Sequence, residues 1–336
     1  MVPTKTRVAF SNLDRILYPE LGISKKEVIE YYIRKAPLMI PLLEERPLTI
    51  RRFPNGIGEE GFFQKDVPRN APEWVRTYTM ESGGDATEYI ICNDLDTLMW
   101  LANLAAIEIH IPLARVPSVD KPDLALFDID PEPPATFRDA CRVAGFLKKL
   151  LDELGILSFL KTSGKKGIHV VVPIERRYAF RQVRDFVHRV GMLLEGEHKE
   201  VRAEFADSRE PGTVFVDYLQ NSRGKTMVSP YSLRPEPAAT VSAPLEWGEL
   251  SGEIRPEDFN IATIISRKED PWKDIFKNPQ EIVVKWDESK KDRPGNGITP
   301  SLLDRHHQYR SCEHTGKARY HDTGPVGFIP SSPPEG

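Results

Sequence analysis

In DLALFDIDPEPP, from Asp123 to Pro134, four apolar residues lead into two aspartates one residue apart, and prolines stop the run. An apolar stretch this short, closed by prolines, reads as a buried strand rather than a helix. On a strand, residues i and i+2 share a face. Asp128 and Asp130 therefore present both carboxylates to one side, with Phe127 and Ile129 facing the other. Left alone, two such carboxylates repel and raise each other's pKa. Divalent cations shared between them would resolve the conflict and suit phosphoryl transfer. Solvated aspartates ahead of a proline turn are the plainer alternative. A third carboxylate on a neighbouring strand would complete a metal site, and Asp217 in VFVDYLQN stands in a strand of that kind.

The rest of the chain limits the setting of this strand. Its 336 residues, 40% of them hydrophobic, suffice for a large core. Three cysteines, Cys92, Cys141 and Cys312, lie too far apart for a disulfide framework or a CxxC metal pair, as in a reducing cytoplasm. The N-terminus has no signal-type apolar core and no run approaches 18 apolar residues, so a soluble intracellular protein is expected. A net charge of −4 argues against indiscriminate coating of nucleic acid but leaves room for a local basic groove.

Helix and strand patterns alternate irregularly. SKKEVIEYYIRKAP offers Ser24 and Glu27 as a capping box. PLTIRRFPNG and GFFQKDVP read as strands around a turn, and ATEYIICN as another. DLDTLMWLANLAAIEIH suits one buried helix capped by Asp94 and ending near His110. TFRDACRVAGFLKKLLDELG is an amphipathic helix stopped by Gly155, and YAFRQVRDFVHRVGMLLEG a second one. Between them, ILSFLKTSGKKGIHVVVPI gives two strands joined by a polar loop. The mixture predicts an α+β fold with mixed or antiparallel sheets flanked by helices. From Pro279 the sequence turns to charge, Gly, Pro and Ser, which predicts one domain over residues 1–278 and a poorly ordered tail over 279–336. The tail's His306, His307, Cys312, His314 and His321 lack the spacing of a structural metal site.

Three further groups could carry chemistry. Ser163, Gly164, Lys165, Lys166 and Gly167 could form an anion-binding nest, with His169 in the strand that follows, although the same residues also make an ordinary hairpin turn. No helix follows, so this is not a P-loop. Phe62 and Phe63 stand beside Lys65; alternation would bury one and free the other to stack on a base, or both could be core. Lys25 and Lys26 at a helix N-terminus are unfavourable unless an anion arrives. Arg223, Lys225, Ser229 and Arg234 could clamp a triphosphate.

Taken together, NLDRILYPELGISKKEVIEYY, RRFPNGIGEEGFFQK, LALFDIDP, KTSGKKGIHVVVP and VFVDYLQNSRGKTMVSPYSLRP resemble the polymerase domain of the ligase D family, in the archaeo-eukaryotic primase superfamily. The resemblance implies a primase-like fold with catalytic aspartates on adjacent strands. It further implies template-dependent nucleotidyl transfer that fills or extends 3′ ends at DNA breaks and gaps in nonhomologous end joining, with ribonucleotides preferred and Mn²⁺ or Mg²⁺ at a two-metal site. By the same resemblance, Asp128, Asp130 and Asp217 would bind metal and His110 would stand beside them. Ser163, Lys166, His169, Lys225, Arg234 and Arg52 would bind the nucleotide. Phe62 and Phe63 would hold the templating base, and Asn12 and Lys25 a downstream 5′-phosphate. The expected partners are gapped or broken DNA with a 5′-phosphate, nucleoside triphosphates, a separate DNA ligase and a Ku-type end-binding protein, all in the prokaryotic cytoplasm near the nucleoid. No ligase or nuclease module is recognisable in this chain.

Three rival readings are distinguishable. A haloacid dehalogenase phosphatase also opens on D-x-D, but Pro131 stands where that class has Gly and then Thr. A noncatalytic end-binding scaffold would have no use for three converging carboxylates. A replicative primase would lack the 5′-phosphate pocket.

Overall fold

The computed structural model describes residues 5–82, 85–205 and 209–282. In chain order these form β1 (Ile16–Tyr18), β2 (Ile23–Ser24), α1 (Lys25–Leu43), β3 (Thr49–Arg52), β4 (Phe62–Gln64), β5 (Thr77–Ser82), β6 (Asp85–Ile90), α2 (Leu95–Asn103), β7 (Ala106–Pro112) and β8 (Leu124–Pro131). There follow α3 (Phe137–Glu153), β9 (Phe159–Thr162), β10 (Ile168–Pro173), α4 (Phe180–Glu197), β11 (Val201–Arg202), β12 (Val214–Asp217), β13 (Thr226–Val228), β14 (Pro244–Leu245) and α5 (Ile261–Ser266).

Two sheets carry the architecture. One has six strands in the order β11-β12-β8-β10-β9-β14, and the other four, β13-β7-β3-β4. Every neighbouring pair is antiparallel except β11 with β12. The fold is therefore α+β, as the mixed pattern predicts.

Local chemistry explains the elements. Ser24 Oγ accepts from Glu27 N while a Glu27 carboxylate oxygen accepts from Ser24 N at 2.8 Å, so the capping box closes the N-terminus of α1. Gly155 takes φ +69° just past α3, a conformation that side chains resist. Ala140, Val143, Ala144, Leu147 and Leu151 of α3 are buried, and Phe186 of α4 meets Phe127 of β8 edge-on at 6.0 Å. Helices α3 and α4 thus cover the Phe127 and Ile129 face of the six-stranded sheet and leave its other face to polar groups. Each large apolar side chain so buried stabilises the fold by about 1.5–3 kcal/mol. At the start of β8, Asp123 is locked by Arg46 Nη2 at 2.8 Å and Arg115 Nε at 2.9 Å.

Three elements depart from the sequence expectation. The stretch from Asp94 to His110 is not one helix: α2 ends at Asn103, Ala105 turns the chain at φ +56°, and β7 carries His110. The residues Ile-Glu-Ile-His-Ile alternate with period two, and pairing with β3 and β13 satisfies them as a strand. TYTMES also forms a strand, β5, hairpinned with β6. Finally, the packed chain passes residue 278: Gln280 N donates to Pro173 O at 3.0 Å and Ile282 is buried. The rest of the expected tail, 283–336, with its histidines and Cys312, lies outside the described residues.

Candidate active site

The register of the six-stranded sheet builds the site. Asp217 of β12 pairs with Asp128 of β8, Asp128 with His169 of β10, and His169 with Lys161 of β9. Directly paired residues share a face. A row Lys161–His169–Asp128–Asp217 therefore crosses four strands on the face that the helices leave open. Asp130 stands two residues further along, opposite Phe215.

Crowding makes this row electrostatically tense. Burial, then Asp130 and Asp217, push the Asp128 carboxyl well above its usual pKa, against the pull of Lys161 and Arg209. His169 Nε2 lies 3.3 Å from Asp128 Oδ1, and its Nδ1 has no partner. Burial, then Lys161 and Arg234, hold His169 well below the usual histidine range, so its imidazole is neutral. Arg209 Nη1 meets Asp130 Oδ2 at 3.3 Å and lies 4.8 Å over the Phe215 ring. Asp217 Oδ1 accepts from Leu219 N at 2.8 Å.

Among the described residues no trio of His, Cys, Asp or Glu is gathered around a single position. The donor set nonetheless fits a hard divalent cation. Three carboxylates share one sheet face, and the central one is destabilised as an anion by its neighbours.

The Ser163–Gly167 loop abuts this row. Ser163 Oγ accepts from Gly167 N at 3.0 Å and Lys165 N at 3.2 Å, which ties the loop into a tight arch. A Cβ on Gly167 would come within 2.8 Å of Ile129 O and 2.9 Å of Asp130 Oδ1, so only glycine lets the loop approach the aspartates this closely. Lys166 Nζ caps Pro131 O at 3.1 Å, just past the aspartates.

The four-stranded sheet supplies the opposing polar groups. Arg51 pairs with Phe63 and Glu108, and Thr49 with His110, so Arg51, Phe63, Glu108 and His110 share one face. Glu108, nearly inaccessible, meets Arg234 Nε at 3.0 Å, Arg51 Nη1 at 3.5 Å and His110 Nε2 at 3.7 Å. Burial works against its charge, but His110, Arg234 and Arg51 outweigh it and lower its pKa. Phe63 packs edge-on to His110 at 5.7 Å. Phe62 and Phe63 are both exposed, at 47% and 60%, so alternation does not bury either: β4 is an edge strand.

A separate basic pocket lies at the start of α1. Lys25 is buried, and burial together with Arg15 and Arg52 lowers its pKa to about 8. Asn12 adopts φ +49° in the turn whose Arg15 O accepts from Lys25 N at 2.7 Å. Arg52, grouped with the nucleotide contacts by resemblance, stands instead beside Lys25; it donates to Leu104 O and Gln64 Oε1 and lies 5.3 Å over the Phe62 ring. Lys225 is exposed on the turn before β13, without an ion pair among the described residues. Sequence reading missed Arg15, Arg51, Glu108, Lys161 and Arg209. Glu108 and His110 in IEIHIP carry a period-two signal that could have found the first of that pair.

The model of the LigD primase-polymerase domain matches residues 24–276, which hold the three aspartates, the Ser163–Gly167 loop and β4. The chain belongs to the LigD primase-polymerase family. Its enzymatic class is nucleotidyl transfer. It is 34% identical over 284 residues to the bifunctional non-homologous end joining protein LigD of Bacillus subtilis, covering 83% of this chain and 46% of that protein. It is 36% identical over 258 residues to the multifunctional LigD of Mycolicibacterium smegmatis, covering 76% and 34% respectively. The chain thus spans less than half the length of these LigD relatives. The solved polymerase domain of Mycobacterium tuberculosis ligase D in complex with DNA superposes with a TM-score of 0.75 at 31% identity, over 82% of this chain and all of that one. No helix among the described residues is long and apolar enough to cross a membrane.

Proposed function

We propose that this enzyme adds nucleotides, ribonucleotides in preference, to 3′ ends at DNA gaps and double-strand breaks during nonhomologous end joining. The observation that carries the reading is the registered pairing of Asp217 with Asp128, with Asp130 on the same face and the Ser163–Gly167 loop against it. The DNA-bound polymerase domain among its structural neighbours supports a DNA substrate. The names of its relatives support the repair setting. A DNA ligase activity and a Ku-type end-binding protein would complete the pathway.

Asp128, Asp130 and Asp217 would hold Mn²⁺ or Mg²⁺, which when bound lowers the pKa of a coordinated hydroxyl and neutralises charge on the transferred phosphoryl group. The chain's own residues do the rest. His169 fixes the orientation of Asp128 from its strand partner position. Lys166, released from Pro131 O, and Arg234, buried against Glu108, supply positive charge to the triphosphate. Phe63, held over Arg51 at 5.3 Å, offers a free ring face to a template base, and Phe62 extends it towards the Lys25 pocket. That pocket would take the downstream 5′-phosphate. The protein's part is positioning and fixed charge rather than covalent chemistry.

The test is primer extension on gapped DNA with a 5′-phosphate, comparing ribo- with deoxynucleotides in Mn²⁺ and Mg²⁺. Asp128→Asn should abolish addition while leaving DNA binding intact. Tight, phosphate-dependent binding by the parent without any addition would replace this reading with an end-binding scaffold.

A further inference from the structure

One buried lysine has no part in the scheme above. Lys161 on β9 is fully inaccessible to solvent. Its ammonium makes one hydrogen bond, 2.7 Å to Ser242 Oγ, and that hydroxyl in turn donates to Thr162 O at 2.9 Å. Among the described residues it forms no ion pair. Lysine is almost never buried this completely without a counter-charge, because removing an ammonium from water is costly.

Its surroundings add positive charge rather than cancel it. Lys161 pairs in register with His169, at the end of the row that runs through Asp128 to Asp217. Burial, then Arg234 as a like charge, push its pKa well below the usual lysine range, against the pull of Asp128. The Ser163–Gly167 loop packs directly above. A Cβ on Gly164 would lie 2.5 Å from Arg234 Cγ and 3.1 Å from Ser242 N, and Thr240 Oγ1 donates to Gly164 O at 2.5 Å. Lys161, Ser242, the loop and Arg234 are therefore one packed unit with a buried, unpaired amine at its base.

We propose that Lys161 is a positioning residue of the nucleotide site, its ammonium form stabilised by the phosphates of a bound nucleoside triphosphate that it orients through the Ser163–Gly167 loop and His169. This rests on the nucleotidyl transfer proposed above. A lysine retained only for folding makes the opposite prediction about stability, since replacing an unpaired buried charge by an apolar side chain of similar length is neutral or stabilising.

The discriminating variant is Lys161→Met, assayed by calorimetric titration with ATP and with AMP in Mn²⁺, alongside thermal unfolding and binding to gapped DNA. Affinity for ATP should fall about tenfold, as for loss of one charge in a partly screened site. AMP and DNA binding should change little, and the unfolding temperature should hold or rise. Unchanged ATP affinity in a folded Lys161→Met overturns the proposal, as does an equal loss for ATP and AMP. Should that variant not fold, Lys161→Gln keeps a donor for Ser242 without the charge and must show the same selective loss. Failure of both to fold marks a structural lysine and also overturns it. A parent that binds no triphosphate removes the functional reading and this inference together, whereas a parent that binds normally beside an unaffected variant removes only the inference.

Discussion

Raising the pH from 7 to 9.5 should erase the preference for DNA ends with a 5′-phosphate that the Lys25 site is proposed to confer. The cause is Lys25, whose pKa burial, Arg15 and Arg52 lower from 10.5 to about 8. A terminal phosphate, with its second pKa of about 6, is a dianion throughout this range and would restore the ammonium when bound. Below pH 8 the free protein already carries the proton, so affinity is flat. Above it, binding requires proton uptake, and affinity falls towards tenfold per pH unit until the pKa of the complex is passed. At pH 9 the expected loss is about tenfold. Anisotropy titrations of matched recessed duplexes with 5′-phosphate and 5′-hydroxyl give a ratio in which general charge effects cancel. Lys25→Ala should bring that ratio near one at every pH. A phosphate preference that stays constant from pH 7 to 9.5 refutes the reasoning. The same shift has a stability consequence: the unfolded chain binds more protons between pH 8 and 10.5, so the folded state gains stability as pH rises through that window.

Other perturbations have equally definite outcomes. Phe63→Ala removes an exposed ring over Arg51 and should weaken templated addition by about 1–3 kcal/mol, read as kcat/KM, without changing the unfolding temperature. Asp123→Ala strands Arg46 in the core and should destabilise the fold by about 3–5 kcal/mol in denaturant titration, against the small change expected of a surface pair. Truncation after Ile282 should leave extension and unfolding unaltered, whereas truncation after Lys277 should lower the unfolding temperature, because Gln280 bridges Leu157 and Pro173.

What the sequence discloses depends on how local its cause is. LALFDIDP reads correctly as a strand because an apolar run, a period-two alternation and terminal prolines all act within eight residues. The capping box at Ser24 and Glu27 is equally local. By contrast, the helix-to-strand switch at Ala105 leaves no Gly or Pro behind, and the mostly apolar run from Leu98 to Ile111, broken only by Asn103, Glu108 and His110, disguises it. The exposure of both Phe62 and Phe63 follows from β4 lying at a sheet edge, which only pairing reveals. Lys161 is the extreme case. In SFLKTSG it looks like an ordinary solvated lysine, and only tertiary pairing, with β14 beside β9 and Ser242 against its amine, reveals its burial. Arg52 illustrates a different gap: its neighbour Arg51 faces Glu108, while Arg52 itself turns to the opposite face and the Lys25 pocket.

The row from Lys161 to Asp217 has a bearing on how such an enzyme can change. Adjacent strands stand about 4.8 Å apart, so backbone hydrogen bonds act as a ruler that fixes the spacing of its four functional groups. Loops around the cleft can lengthen or vary without touching that interval. A single inserted residue within β8 or β10, however, would shift the register of the residues beyond it, sending those of the functional face to the side covered by α3 and α4 and turning apolar ones outward. Diversification of this scaffold should therefore be confined to its loops and strand ends, with the register between the four strands held constant.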